Sequence, residues 1–393
     1  MPPAADQANP RQRLFELNAA LGTAIVALTL GTALVVTAAS ALGQAPSRPA
    51  RPCLRLVVVL ALLFVPLVVA GQVLADRPGS APYLFPVVNV LITAIPSLVI
   101  ALLVVHWYRR VHPFAWPMSV REAGTAFMYG AIGATTVGGI LNTLYLVFGG
   151  ALLIAWQGSG TPWDLDRGLR TLPGGWGIAF DVSVLSVVAP LNEESWKGLI
   201  VVFFFFRGGG LARCFAWGVL AGAGFNLLET FLNSLGAVSP EAMADQQIGA
   251  SWWFFAVARA GTATMHALAA GLAALGCYGL VRRRPAFLVG YPAGVLLHGT
   301  WNFLVYTVWG DAMLSRAWPH STALDVAGGV GLVLVFVLSV AMLWALTRLL
   351  RDEQPAMIYR MIGMRPVSPG ASRQAPPGAG LPAHSPAVHP GRR

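Results

Sequence analysis

Along most of this chain apolar residues run on for twenty positions or more, and polar residues collect in the short stretches between the runs. A helix rising 1.5 Å per residue needs about 20 such residues to cross a hydrocarbon layer about 30 Å thick. Nine segments meet that length: 18–42, 54–74, 84–107, 125–155, 178–206, 212–235, 252–280, 286–308 and 323–349. The predicted fold class is therefore all-α, a polytopic transmembrane helical bundle of about nine membrane spans. The first run is too long for the apolar part of a signal peptide and lacks a clear cleavage site, so it is read as a helix that stays. Pro86, Pro96 and Pro190 predict kinks, which membrane helices tolerate because neighbours satisfy the freed backbone groups. Gly218 and Gly222 share one helix face and predict a place where two helices approach closely.

Composition agrees with the pattern. Of 393 residues 56% are hydrophobic and 11% charged, against about 25% charged in soluble domains; the mean hydropathy is +0.65. The net charge of +10 does not point to a nucleic-acid partner. The arginines sit in short loops and in the C-terminal stretch, as the positive-inside rule and anionic lipid headgroups require. With the C-terminus cytoplasmic, the inner loops hold Arg48, Arg51, Arg55, Arg109, Arg110, Arg121, Arg207, Arg213, Arg282, Arg283 and Arg284. The outer segments hold Arg11, Arg13, Arg77, Arg167, Arg170 and Arg316, and the loop 236–251 has two acids and no basic residue. The expected localisation is the cell membrane, multi-pass, with the N-terminus outside and the C-terminus cytoplasmic; Arg11 and Arg13 run against that orientation. Cys53, Cys214 and Cys277 show neither metal spacing nor a framework of pairs.

The predicted organisation is an N-terminal tail (1–17), an accessory four-helix membrane region (18–155), a four-helix membrane core (178–308), a final span (323–349) and a cytoplasmic tail (350–393). The tail is rich in Pro, Gly, Ala, Ser and Arg and is expected to be disordered, since it cannot bury enough apolar surface to fold. The loop 156–175 is expected to lie along the membrane surface.

Charge inside the runs changes the picture. A charged side chain at the bilayer centre costs at least about 2.5–3.5 kcal/mol on insertion scales. Away from the span ends the apolar runs carry Asp181, Glu193, Glu194, Lys197, Glu229, Arg259, His266 and His298. All fall on spans five to eight. Lys197 is also the only lysine of the chain, and arginine is no equal substitute where a compact charge is needed.

Spacing relates these residues to one another. Glu193 and Lys197 stand at i, i+4 on one helix face, while Glu194 points about 100° away, toward a neighbouring helix or a water. Two adjacent carboxylates in low dielectric should differ in proton affinity, which gives one proton donor and one acceptor. The next span carries Phe225-Asn-Leu-Leu-Glu229, with Arg259 as the candidate packing partner of Glu229. His266 follows Arg259 by seven residues, and His298 and Asn302 again stand at i, i+4.

Glu193-Glu194-x-x-Lys197, Phe225-x-x-x-Glu229, His266 and His298-x-x-x-Asn302 resemble, in order and one to a span, the motifs of the PrsW family of intramembrane proteases. That family is distantly related to the type II CAAX prenyl endopeptidases and bacteriocin-processing proteins. The resemblance covers roughly residues 178–308. It implies an intramembrane endopeptidase that hydrolyses a peptide bond in a membrane-associated substrate, of which an anti-sigma factor is the family's described example. Implied partners are that substrate and the lipid bilayer, with no nucleic acid. Candidate catalytic residues are Glu193, Glu194, Lys197, Glu229, His266, His298 and Asn302.

Two mechanisms follow. In one, Glu193 activates water, His266 or His298 polarises the scissile carbonyl, Asn302 donates to the oxyanion and Lys197 fixes the ionised glutamate. In the other, His266, His298 and Glu229 hold a metal, zinc being the candidate, and a remaining glutamate takes the water proton. No His-Glu-x-x-His spacing is present, so such ligands would come from separate helices. The sequence leans slightly to metal-independent glutamate catalysis. An ion-coupled transporter is the main alternative, since proton relays use the same residue types. The absence of matching motifs in spans one to four counts against an inverted repeat. A non-catalytic membrane scaffold is the other alternative.

Overall fold

Helices are the only elements that satisfy every backbone group within a lipid-embedded segment, and the computed structural model is built from them. It describes residues 10–42, 54–77, 79, 81–111, 118–158, 165–204, 209–237, 252–313 and 322–350, with no β-strand among them. The chain divides into residues 1–352 and 353–393, and all described residues belong to the first unit. The expected C-terminal tail beyond Leu350, the acidic part of the loop 238–251, Cys53, Arg48, Arg51, Arg207 and Arg316 lie outside the described residues.

The long helices follow the predicted runs closely. Span one covers 10–42 and includes a π-helical turn at Asn18–Gly22. Span two is Leu54–Asp76 and span three Leu84–Val111. Span four is Val120–Gln157 and span five Pro173–Phe204, both interrupted by π-helical turns. Span six is Leu211–Ala237, span seven Trp252–Val281, span eight Gly290–Met313 and span nine Thr322–Leu349. Eight of these are long and apolar enough to cross a membrane; span eight, at 24 residues, has the length but, with His298 and Asn302 among its polar residues, not the apolarity. The chain is a polytopic helical membrane protein.

The predicted irregularity at Pro190 takes a definite form. Span five passes from α-helix to a π-helical turn at Val184–Val188, and Pro190 stands in the first turn of the helix that follows, Ala189–Gly198. Within the π turn the Ala189 amide bonds to the Val184 carbonyl, which leaves the Leu185 carbonyl for another donor. Asn302 of span eight supplies it, at 2.9 Å. Proline has no amide hydrogen for the carbonyl four residues back, and that carbonyl, of Ser186, lies against Gly299, where a Cβ would be 2.3 Å from it. Spans five and eight therefore meet at a built irregularity just before Glu193.

Spans six and seven form the centre. From Gly261 to Gly276 span seven is buried without a break. The approach depends on residues that lack bulk: a Cβ on Gly222 would lie 2.2 Å from the His266 carbonyl oxygen, and one on Gly218 2.4 Å from that of Ala270. The close contact expected from Gly218 and Gly222 is thus with span seven, at the level of His266. Around this pair stand spans three, four, five, eight and nine, with a core that includes Val104, Phe215, Trp217, Leu220 and Leu268. Between spans four and five the described loop residues do more than lie on a surface. A short helix, Leu165–Arg170, seats Leu165 against Gly150 and Gly168 against Ile154, beside Leu172 and Phe180.

Candidate active site

Four spans, five to eight, and one lysine make the site. Lys197 is fully buried, and its ammonium donates to Glu194 Oε1 at 2.8 Å, Glu193 Oε2 at 3.2 Å and His266 Nδ1 at 2.9 Å. It also lies 3.6 Å from the centroid of the Phe225 ring, a favourable cation–π position. The sequence assigned the lysine to Glu193 alone. Its flexible stem reaches both carboxylates, one at i−4 and the other at i−3, and Glu194 is shared with span eight.

An ammonium can only donate, so His266 Nδ1 accepts. The proton of neutral His266 is then on Nε2, which donates to Glu229 Oε2 at 2.9 Å. Glu229 also accepts from Arg259 at 2.5 Å, the partner expected for it. His298 contacts Glu194 Oε1 through Nδ1 at 2.9 Å, and its Nε2 lies 3.8 Å from Glu193 Oε2. A carboxylate accepts, so Nδ1 carries a proton, and Nε2 is the ring nitrogen turned toward Glu193. The two imidazoles meet edge-on, ring centroids 4.5 Å apart.

Glu193, Glu194, Lys197, Glu229, His266 and His298 thus come together, with Phe225 packed on them. Asn302 does not join them, because its amide holds the Leu185 carbonyl freed by the π turn. Asp181 is buried elsewhere on span five, with Oδ1 unbonded.

Two polar residues of the site escaped the sequence reading. Asn142 of span four donates to Glu193 Oε1 at 3.0 Å and accepts from Asn192 at 3.1 Å. Attention to ionisable residues alone passed over both; the signal that could have found Asn142 is a lone amide in the run Gly138–Phe148. A further chain ties the cluster to span three. Arg259 Nε donates to Thr230, Thr230 to Asn226 Oδ1, and Asn226 Nδ2 to Ser97, at 3.0, 3.2 and 2.9 Å.

A metal's donors are also present. Glu193, His266 and His298 each offer one ligand atom, all within 4.8 Å of one another and all buried. Two imidazoles and a carboxylate form the donor set of hydrolytic zinc sites, so the residues fit such an ion. The carboxylate of this compact set is Glu193, whereas Glu229 lies beyond His266. Lys197 contacts two of the same three side chains, so an ion and the ammonium compete for that position.

The family model described as PrsW family intramembrane metalloprotease matches residues 120–344, more than half of the chain. The match begins with span four and ends in span nine, so it is wider than the motif-bearing residues 178–308. Neither the curated proteins nor the solved structures hold a significant match. With every motif residue but Asn302 gathered in one cluster and the match running through all the helices that build it, the chain belongs to the PrsW family of intramembrane metalloproteases.

Proposed function

We propose that the protein is an intramembrane endopeptidase that hydrolyses a peptide bond in a membrane-associated protein, with Glu193 as the base that activates water. The observation that carries this reading is the asymmetry of the glutamate pair. Glu194 is fully enclosed and its Oε1 accepts from both Lys197 and His298. Glu193 is the more open carboxylate, and its Oε2 faces His298 Nε2 at 3.8 Å. A water beside these two atoms gives its proton to Glu193 while the oxygen attacks the scissile carbonyl. Glu193 later returns that proton to the departing amine.

Lys197 keeps positive charge beside the carboxylates throughout, and Glu229 with Arg259 holds His266 in the tautomer that accepts from Lys197. Glu194 Oε2, enclosed and without a hydrogen-bond partner, is an acceptor for a buried water. Asn302 can reach an oxyanion only by releasing the Leu185 carbonyl, so its role in this reading is to hold the π turn ahead of Glu193. A zinc ion, when bound by Glu193, His266 and His298, would supply Lewis acidity to the carbonyl or the water.

The expected orientation, C-terminus cytoplasmic, belongs to the same reading. A membrane-anchored regulator of the anti-sigma-factor type is the first substrate to examine. The test is comparative membrane proteomics of cells producing wild type, Glu193→Gln or His298→Ala. Fragments of one membrane protein should accumulate with wild type, and each variant should lower cleavage about 10²- to 10⁴-fold, the usual contribution of a general base, while still reaching the membrane. Undiminished cleavage by both variants would sink the reading.

A further inference from the structure

Span four touches the cluster from the edge of the bundle. Ile140, Leu144 and Phe148 are 55%, 45% and 63% exposed, facing away from the other helices. Its opposite side brings Gly138 and Asn142 to Glu193. A Cβ on Gly138 would stand 3.3 Å from Glu193 Cγ, so an added methyl would push that side chain aside by a few tenths of an ångström. Asn192 donates to Asn142 Oδ1 at 3.1 Å, which uses the acceptor of the Asn142 amide and turns its NH2 group toward Glu193. The orientation of the amide is thereby set by a neighbour.

The two oxygens of Glu193 are consequently unlike. Oε1 accepts from the neutral amide of Asn142 at 3.0 Å. Oε2 faces the Lys197 ammonium at 3.2 Å and His298 Nε2 at 3.8 Å.

We propose that Asn142 is a positioning residue for the hydrolytic step: holding Glu193 through Oε1, it presents Oε2 as the oxygen that takes the proton from water. The inference rests on the protease reading above. In the step one O–H bond of water breaks, the proton goes to Oε2, and the water oxygen forms a bond to the carbonyl carbon. When the C–N bond breaks, that proton passes to the amine. Asn142 neither gains nor loses a proton.

A purely structural amide joining spans four and five predicts otherwise. Its replacement by leucine keeps the bulk, suits the membrane, and would leave turnover unchanged. The test therefore uses Asn142→Leu and Asn142→Ala in full-length protein in lipid nanodiscs. The substrate is the membrane protein whose cleavage separates wild type from Glu193→Gln. Both variants should lower kcat about 10- to 100-fold, as expected when a reacting group is misplaced, with KM within about twofold of wild type and a melting temperature lowered by no more than a few degrees, as the loss of interhelical hydrogen bonds requires.

A second readout needs no turnover. Dicyclohexylcarbodiimide, a lipid-soluble carboxyl reagent, should modify Glu193 several-fold faster in Asn142→Leu, with Glu229 in the same sample unchanged, as read by peptide mass spectrometry. Wild-type kcat together with wild-type labelling at Glu193 overturns the proposal, and so does a loss confined to KM. If wild type cleaves nothing while labelling of Glu193 still rises in Asn142→Leu, the protease reading fails and the hold of Asn142 on Glu193 stands.

Discussion

Spans six and seven and spans one and two are all long apolar helices, yet they meet opposite surroundings. In the most apolar stretch of each inner helix 83% of residues are buried, against 11% and 17% in spans one and two. The outer helices expose Leu and Val: Val59, Leu62, Val65 and Val69 of span two are each more than half exposed. The inner helices are rich in Gly and Ala and carry Glu229, Arg259 and His266. The difference follows from what surrounds each helix. Lipid is as apolar as leucine and gives polar groups no partner, whereas a helix enclosed by others can satisfy them and gains most from close approach. In this molecule the less apolar helices are the interior.

The sharpest way to break that comparison is to add bulk where the inner helices touch. Leucine at Gly222 puts its Cβ 2.2 Å from the backbone of His266, while Gly31 of span one has nothing within 4 Å. Gly222→Leu should destabilise by at least about 3 kcal/mol, with loss of monodisperse protein after detergent extraction and loss of cleavage. Gly31→Leu should leave yield, melting and cleavage as in wild type. Equal behaviour of the two would show that the close contact of spans six and seven is not what holds the bundle.

Next in size is the charge at the centre. Lys197→Met leaves two enclosed carboxylates and His266 without their shared cation, and breaking a buried pair from one side costs about 3–5 kcal/mol. Thermal melting should fall accordingly and cleavage should disappear. Lys197→Arg should not restore it, because a planar guanidinium cannot occupy the compact position among Glu193, Glu194, His266 and Phe225. Cleavage by the arginine variant near the wild-type rate would reduce Lys197 to a generic counter-charge.

How much of this was legible in the sequence follows the same division. Span positions came from run length, since the bilayer imposes one ruler on every helix. The cluster was legible because its ionisable residues are costly in lipid and stand in one order on four spans. What the sequence could not give was partnership across helices. Nothing in the i, i+4 spacing of His298 and Asn302 tells that the first faces Glu194 and the second a carbonyl of span five. The π turn that frees this carbonyl has no signature beyond Pro190. Asn142 stayed hidden for a related reason: it is uncharged, and it lies on a helix whose other residues read as lipid-facing.

A buried ion pair away from the cluster sharpens the comparison by separating stability from chemistry. Glu122 of span four accepts from Arg213 and from Trp217 of span six. Arg213→Met should destabilise by about 3 kcal/mol, less in the double variant with Glu122→Gln, because the second change removes the stranded charge. Cleavage per folded molecule should remain at the wild-type level in both. A tenfold fall in turnover from Arg213→Met alone would extend the functional region to that end of span six.

The smallest effect is expected where an outer helix reaches the cluster through hydrogen bonds alone. Ser97 of span three is fully buried and accepts from Asn226, the far end of the chain through Thr230 and Arg259 to Glu229. Ser97→Ala removes one interhelical hydrogen bond, worth about 0.6 kcal/mol on average in a membrane protein. Asn226 still accepts from Thr230 at 3.2 Å, so Arg259 keeps its place and turnover should stay within about twofold of wild type. The measurement is a melting curve and a cleavage rate on the same nanodisc preparation. A large loss of turnover with an unchanged melting temperature would mean that span three, which precedes the family-matched residues, tunes the site through this chain. Inner and outer helices would then differ in surroundings but not in function.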